Sequence, residues 1–243
     1  MRSSTVRERA VEARLTKIYA IHAADGTEVV NGMRSLVPLI GFTGDIGSGK
    51  DYAASHLVEA HNFKHTSFAR PLKEMVQEKF NLEARHVWGT QADKNEPIPH
   101  LGNIRPRFKK QGDPWVSRIG KPWTGRYLLE WVGTDCFRDV YEDIWASQVE
   151  NEVALGRALG HRYVVTDCRF PNEFETIRRI GGVIVRMVRT DAGENGERTG
   201  HSSDEAWRSL TPDFTITAAT GELEKIRKEA RRLSMSSPVE NLR

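Results

Sequence analysis

The sequence has little of what marks a secreted or membrane protein. Of 243 residues only two are cysteine, Cys136 and Cys168, and neither belongs to a C-x-x-C pair. That excludes a disulfide framework, and both read as reduced thiols. No apolar run approaches the roughly 18 residues that cross a bilayer. The opening Met1-Arg2-Ser3-Ser4 is polar and lacks the apolar core of a signal peptide, so no membrane partner and a cytoplasmic location are expected. A zinc pattern is also lacking: His61 and His65 have no cysteine pair beside them and read as a solvated helix end. No internal repeat of 20–50 residues is visible. Charge of one sign is scarce, since 36 basic against 33 acidic residues gives +3. Such a balance suits an enzyme of small anionic substrates and does not require nucleic acid.

What is present fits a soluble globular chain: 38% hydrophobic and 28% charged residues, over a length that holds one α/β domain or two small ones. The organising stretch is Gly44-Asp45-Ile46-Gly47-Ser48-Gly49-Lys50. It follows the apolar run Leu36–Phe42 and precedes Ala53, Ala54, Leu57 and Val58 at helical spacing. Strand, glycine-rich turn and helix is the setting in which G-x-x-x-x-G-K binds phosphate. Glycines let successive amides curl around an anion, the helix start adds partial positive charge, and the lysine reaches the outer phosphates. Asp51 stands where a Ser or Thr hydroxyl normally holds magnesium.

Residues 1–35 precede the first strand, with Val11, Leu15 and Ile18 predicting a short helix through about residue 18. After the loop come a short strand over Phe63–Phe68 and a helix opened by Pro71. Arg70 and Lys73 at that helix start either hold a second phosphate or are ordinary surface charge. Residues 89–125 carry five of the ten prolines and predict an irregular excursion. Within it Arg105, Arg107, Lys109 and Lys110, with Phe108 and Trp115 near, form a basic cluster. It reads as a solvated loop near an anionic substrate in preference to a nucleic-acid patch.

The pattern returns to helix from Gly125 through Asp135, then again from about Trp145 to Leu159. The β-branched run Tyr163-Val164-Val165-Thr166-Asp167 is expected to present a carboxylate at a strand's C-terminal edge, where α/β ligands bind. Such an acid orders magnesium or its waters; the alternative is a helix cap, since Pro171 and Asn172 follow. A helix through Phe174, Ile177 and Ile180, a strand over Val183–Val188, a strand over Phe214–Thr217 and a helix from Glu222 to Leu233 complete the series. The segment 189–205, with Arg189, Arg198 and His201, has the composition of a lid or of a plain surface loop. Residues 234–243 are expected to be a tail. Alternating strands and helices indicate an α/β fold with a parallel sheet flanked by helices.

Four segments together carry a family likeness: Gly47-Ser48-Gly49-Lys50-Asp51, Arg126 through Gly133-Thr134-Asp135, Thr166-Asp167-Cys168-Arg169 with Glu173, and the final strand–helix pair. In this order over about residues 38–233, the sequence resembles the deoxynucleoside monophosphate kinases of tailed bacteriophages. Lys50-Asp51 adds to it, because family members also place Asp after the lysine; they often have Thr next, where this chain has Tyr52.

The resemblance implies a P-loop NTPase fold over 36–233, with a monophosphate-binding helical insertion and a lid. ATP and Mg²⁺ would be the cofactors and small-molecule nucleotides the partners. It also implies a homodimer and, for a phage-encoded chain, the host cytoplasm. ATP would lie on residues 44–52, with Lys50 at its β- and γ-phosphates. Arg70, Lys73, Arg126, Gly133, Thr134, Trp145, Asp167, Arg169 and Glu173 would form the monophosphate side. Lys50, Asp167 and Arg169 would be catalytic, with Asp51 or Asp167 at the metal. From the residues alone, Trp145 stacks on the base or sits in the core. Glu173 positions Arg169, contacts the deoxyribose, or is a helix N-terminal acid. The alternatives are another small-molecule kinase, for dephospho-coenzyme A or a ribonucleotide, and a nucleic-acid-associated ATP-binding protein.

Overall fold

The strand β1 (Leu39–Thr43) is buried along its whole length, which is why its sequence alternates no polar residue. In the computed structural model, which describes residues 36–105, 117–191 and 207–235, β1 is the centre of a five-stranded sheet. The remaining strands are β2 (Phe63–Thr66), β3 (Arg162–Val165), β4 (Val183–Arg189) and β5 (Phe214–Ala218). They are ordered β2-β3-β1-β4-β5, and every neighbouring pair is parallel.

Parallel neighbours need crossover helices, and these cover both faces. Ile40 and Phe42 point to one face, where they pack with Leu57 of α1 (Lys50–His61) and with Ile226 and Leu233 of α8 (Leu223–Ser234). Leu39 points to the other, onto Val149 of α6 (Ile144–Arg157) and Ile177 of α7 (Pro171–Arg179). A third cluster lies away from the sheet, built from Val76, Leu82, Val87, Ile98, Leu128 and Val132. It gives the insertion between β2 and α6 a core of its own. The pieces are α2 (Arg70–Lys79), α3 (Ala84–Trp88), α4 (Gln91–Asn95) and α5 (Gly125–Glu130).

The insertion departs from the expected irregular excursion over 89–125. Thr90 opens α4 with a reciprocal capping box to Asp93. The Pro-rich arms then run antiparallel, with Ile98 N–H donating to Trp123 O and Ile104 N–H to Lys121 O, both at 2.8 Å. Proline keeps these arms out of the sheet without leaving them unpaired. The helix expected to run from Gly125 through Asp135 also changes character: α5 continues as a π-helix over Trp131–Arg138, closed by the Asp139 N–H on Thr134 O. Ser234, expected in the tail, is buried inside α8 instead, and residues 236–243 lie outside the described residues. The expected N-terminal helix lies outside the described residues, as do Arg107, Lys109, Lys110, Arg198 and His201. Among the described residues no helix is long and apolar enough to cross a membrane.

Candidate active site

The loop from Gly44 to Gly49 joins β1 to α1 at the C-terminal edge of the sheet. Gly44, Gly47 and Gly49 hold φ of 137°, 75° and 93°, a region that other residues rarely adopt. At Gly44 a Cβ would also fall 2.4 Å from the Met187 carbonyl oxygen. Gly49 caps α1 without any side-chain hydrogen bond, so the first amides of α1 have no internal acceptor from a capping side chain. That is the arrangement an anion completes. Lys50 folds back over the loop, donating from Nζ to Gly44 O (2.7 Å), Asp45 O (2.6 Å) and the Ser48 hydroxyl (3.5 Å). Burial holds its pKa below the usual lysine value. Arg169 pushes the same way, and Asp51 and Asp45 oppose them.

Two arginines, Arg189 at the end of β4 and Arg208 beyond it, reach this loop. Arg208 pairs with the Asp45 carboxylate, and the Arg189 guanidinium borders Gly47 while donating to Thr220 (3.0 Å). Of the expected lid residues, Arg189 is therefore beside the phosphate loop. Arg208 escaped the sequence reading.

Beside the loop, at the ends of β2 and β3, a cavity of about 280 Å³ opens beneath the insertion. It brings together Lys73, Arg126, Gly133, Thr134, Trp145 and Asp167, with Arg169 and Glu173 at the same wall. The phosphate-loop and cavity cations sense one another. Arg169 depresses the pKa of Lys50, of Lys73 and of Lys94, although burial is the larger cause for each. Lys94 is additionally depressed by Lys73 and Arg126. Of the five cations lining the cavity, Arg138 is paired with Glu173, and Lys73, Lys94, Arg126 and Arg169 repel each other until an anion enters.

Arg70 is the expected residue that the structure does not bring to this cavity. Its guanidinium is engaged 2.5 Å from Glu152, which also accepts from Thr66 (2.6 Å). Asp167 does reach the cavity, and its carboxylate is heavily used. It accepts from the Ser67 hydroxyl (2.7 Å), Phe68 N–H (3.1 Å) and Ala69 N–H (2.9 Å). These bonds end β2 at Thr66, short of the expected Phe68, and set the turn from which Lys73 projects.

Glu173 accepts from the backbone N–H of Arg169 (2.7 Å) and Phe170 (3.1 Å) and from Arg138 (2.8 Å). It is thus a helix N-terminal acid that fixes the backbone carrying Arg169. Trp145 donates to Gly133 O (3.1 Å), faces Phe137 at 5.5 Å and is 6% exposed. Most of its ring is core, and an edge touches the cavity. Gly133 allows the π-helix to approach α2 closely, since a Cβ there would meet Leu72 at 2.6 Å.

Burial pushes the Glu173 carboxyl up to about 7, with Asp167 adding to the shift and Arg138 opposing it. The folded chain then holds this proton over a window in which the unfolded chain, at an ordinary 4.5, has lost it. Stability from this group is full below pH 4.5 and falls as pH rises towards 7. Relative to Glu173→Gln, the wild type is expected to lose stability as pH rises across that window in denaturant melts. A difference independent of pH would place the proton elsewhere.

The sequence reading missed Lys94, Gln91 and Arg138, which also line the cavity. Thr90-x-x-Asp93 was a readable start signal for α4. Arg138 had no such signal, because a 3.6-residue periodicity does not place residues of a π-helix. For a divalent cation the fit is partial. Among the described residues no three His, Cys, Asp or Glu side chains converge. Asp51 is exposed in the first turn of α1, next to Lys50. One such carboxylate, with phosphate oxygens and water, suits Mg²⁺, which rarely takes an all-protein cage.

No family model matches the chain. It is 31% identical over 182 residues to the "Putative deoxynucleotide monophosphate kinase" of Acanthamoeba polyphaga mimivirus, across 71% of this chain and 83% of that protein. That relative comes from a giant virus, not a tailed phage. Among solved structures, a dephospho-CoA kinase from Campylobacter jejuni aligns with a TM-score of 0.41 and 14% identity, covering 82% of this chain and 98% of the other. TT1252 from Thermus thermophilus aligns with a TM-score of 0.42 and 16% identity, covering 86% and 100%.

Proposed function

The chain belongs to the kinase family of that mimivirus protein, and from this premise we propose that it transfers the γ-phosphate of ATP to a deoxynucleoside 5′-monophosphate. One observation carries the reading: the cavity lined by Lys73, Lys94, Arg126 and Arg169 opens at the sheet edge that also carries the phosphate loop, near enough for Arg169 to lower the Lys50 pKa. Donor and acceptor phosphates placed on these two sides would meet at Arg169.

In this reading the loop amides and Lys50 take the β- and γ-phosphates of ATP, Lys50 exchanging its loop carbonyls for phosphate oxygens. Lys73, Lys94 and Arg126 anchor the monophosphate. Arg126 carries the fork suited to bidentate phosphate recognition. Its guanidinium also donates to Gln91 of α4, so the insertion is linked to the acceptor end. Asp167 holds the turn before α2 and so positions Lys73, and Glu173 positions Arg169. Asp51 would hold Mg²⁺, which neutralises charge on the phosphates when bound. Asp167, already accepting three hydrogen bonds, is better employed in positioning than in metal ligation. Arg208 and Arg189 stand where closure brings cations onto the donor phosphates. Phosphoryl transfer asks little covalent work of the protein beyond alignment and charge neutralisation.

The test is product analysis with ATP and each of the four deoxynucleoside monophosphates, against their ribose counterparts and dephospho-coenzyme A. Diphosphate formation from at least one deoxynucleotide, faster than from its ribo form, is expected. Turnover only with dephospho-coenzyme A, or ATP hydrolysis stimulated by DNA and by no monophosphate, would overturn the assignment.

A further inference from the structure

A second and larger cavity, about 610 Å³, lies in the groove between the outer faces of α1 and α8. Tyr52, His56 and His61 line it from α1, and Arg227, Lys228 and Arg231 from α8. Two atoms in this lining are buried with no hydrogen-bond partner, the Tyr52 hydroxyl and His61 Nε2. A buried polar atom left unpaired is costly, so both atoms lack a partner that they require.

The facing helix supplies charge. Arg227 lies 3.5 Å from Glu224 and places its guanidinium 5.4 Å from the Tyr52 ring. Lys228 and Arg231 have no carboxylate partner among the described residues. His56 and His61 meet edge to face at 5.1 Å, and the groove carries three cations against the carboxylates of Glu59 and Glu224, one of which pairs with Arg227.

The groove starts at Tyr52, two residues after Lys50, and runs along α1 away from the phosphate loop to His61. α1 has 12 residues, and at 1.5 Å each its ends are roughly 17 Å apart. Lys50 begins α1 and His61 ends it. Arg162, at the start of β3, donates to His61 O and to Ser234 O, both at 2.8 Å. The far end of the groove is thereby tied to the sheet's N-terminal edge, opposite the phosphate loop.

We propose that the α1–α8 groove is a second ligand site, taking a nucleotide-sized phosphorylated molecule with its phosphates on Arg227, Lys228 and Arg231 and its polar ring or sugar atoms on Tyr52 and His61. The volume lies within the usual range for small-molecule sites, about 300–1,000 Å³. Arginine and lysine one turn apart on α8 offer both bidentate and point-charge contacts to phosphate. The orphaned hydroxyl and imidazole on the opposite wall are the selective element, since phosphate alone leaves them unpaired.

The test uses the full chain with ring-¹⁵N-labelled histidine, titrated with deoxythymidine triphosphate and, separately, inorganic pyrophosphate. His56→Gln and His61→Gln variants assign the two signals. The His61 signal is expected to shift along a saturable curve in the wild type and equally in Lys50→Ala, where the phosphate loop is impaired. Lys228→Ala/Arg231→Ala is expected to weaken that midpoint at least about tenfold, with basal turnover unchanged because neither residue belongs to the catalytic cavity. No His61 movement at millimolar triphosphate, or an unchanged midpoint in the double variant, overturns the site. Equal affinity for pyrophosphate overturns its nucleotide-sized character. The result is independent of which acceptor the kinase phosphorylates.

Discussion

Lys50→Ala is expected to reduce kcat in a coupled ADP-release assay by about 10²–10³-fold or more, the usual cost of losing one preorganised charge donor at a transferring group. The lysine donates to Gly44 O and Asp45 O together, and it does so from within the curl of the loop. When nucleotide enters, the same ammonium has only to exchange carbonyl oxygens for phosphate oxygens a short distance away. Its lowered pKa records burial that water does not compensate, and an anion reverses that penalty.

Stability should respond differently from turnover. The loop's shape rests on Gly44, Gly47 and Gly49 in left-handed conformations, not on the lysine. Removing a desolvated cation leaves that backbone in place. The variant is therefore expected to melt at or above the wild-type temperature while losing turnover. Near-normal turnover in a folded Lys50→Ala chain would remove this residue from the chemistry.

Much of the sheet was legible because buried parallel strands announce themselves. Leu39–Thr43, Tyr163–Val165 and Val183–Val185 are short β-branched or apolar runs next to glycine or polar turns, and each falls in the sheet. The phosphate loop was legible for a related reason, since its glycines answer a backbone demand that other residues do not meet. Boundaries were less readable where side chains from distant positions set them. β2 stops at Thr66 because Asp167, about a hundred residues later, captures the next three residues. No local periodicity contains that fact.

The same long-range dependence limits the reading of the cavity. Lys73, Arg126 and Arg169 were nominated as separate cations, but their convergence with Lys94 follows from how the insertion folds on its own core. Arg70 carries the same charge as Lys73 three residues away, and Glu152 on α6, with Glu74 one turn along α2, holds it elsewhere. Asp167 and Glu173 illustrate a different limit. Sequence places acids at the start of a turn and of a helix. The structure adds that both hold backbone amides, which makes them positioning residues for Lys73 and Arg169.

Arg169 is where the largest loss is expected. It lines the cavity with Lys73, Lys94 and Arg126 and, on the proposed function, stands where negative charge grows as the phosphoryl group leaves one oxygen and approaches another. A positioned arginine is worth roughly 10³–10⁵ in rate in related phosphoryl transfers. Arg169→Ala is therefore expected to lower kcat by that order while raising the acceptor KM far less, because Lys73, Lys94 and Arg126 still bind the ground-state phosphate. Arg169→Lys should recover little, as a single ammonium does not reproduce the planar fork. Folding is checked by melting each variant, and turnover is compared only between folded chains, in which Glu173 still holds the backbone N–H of residue 169. If instead the acceptor KM rises steeply and kcat stays near normal, Arg169 is one more ground-state anchor, and the charge that develops in transfer is met by the loop and its lysine.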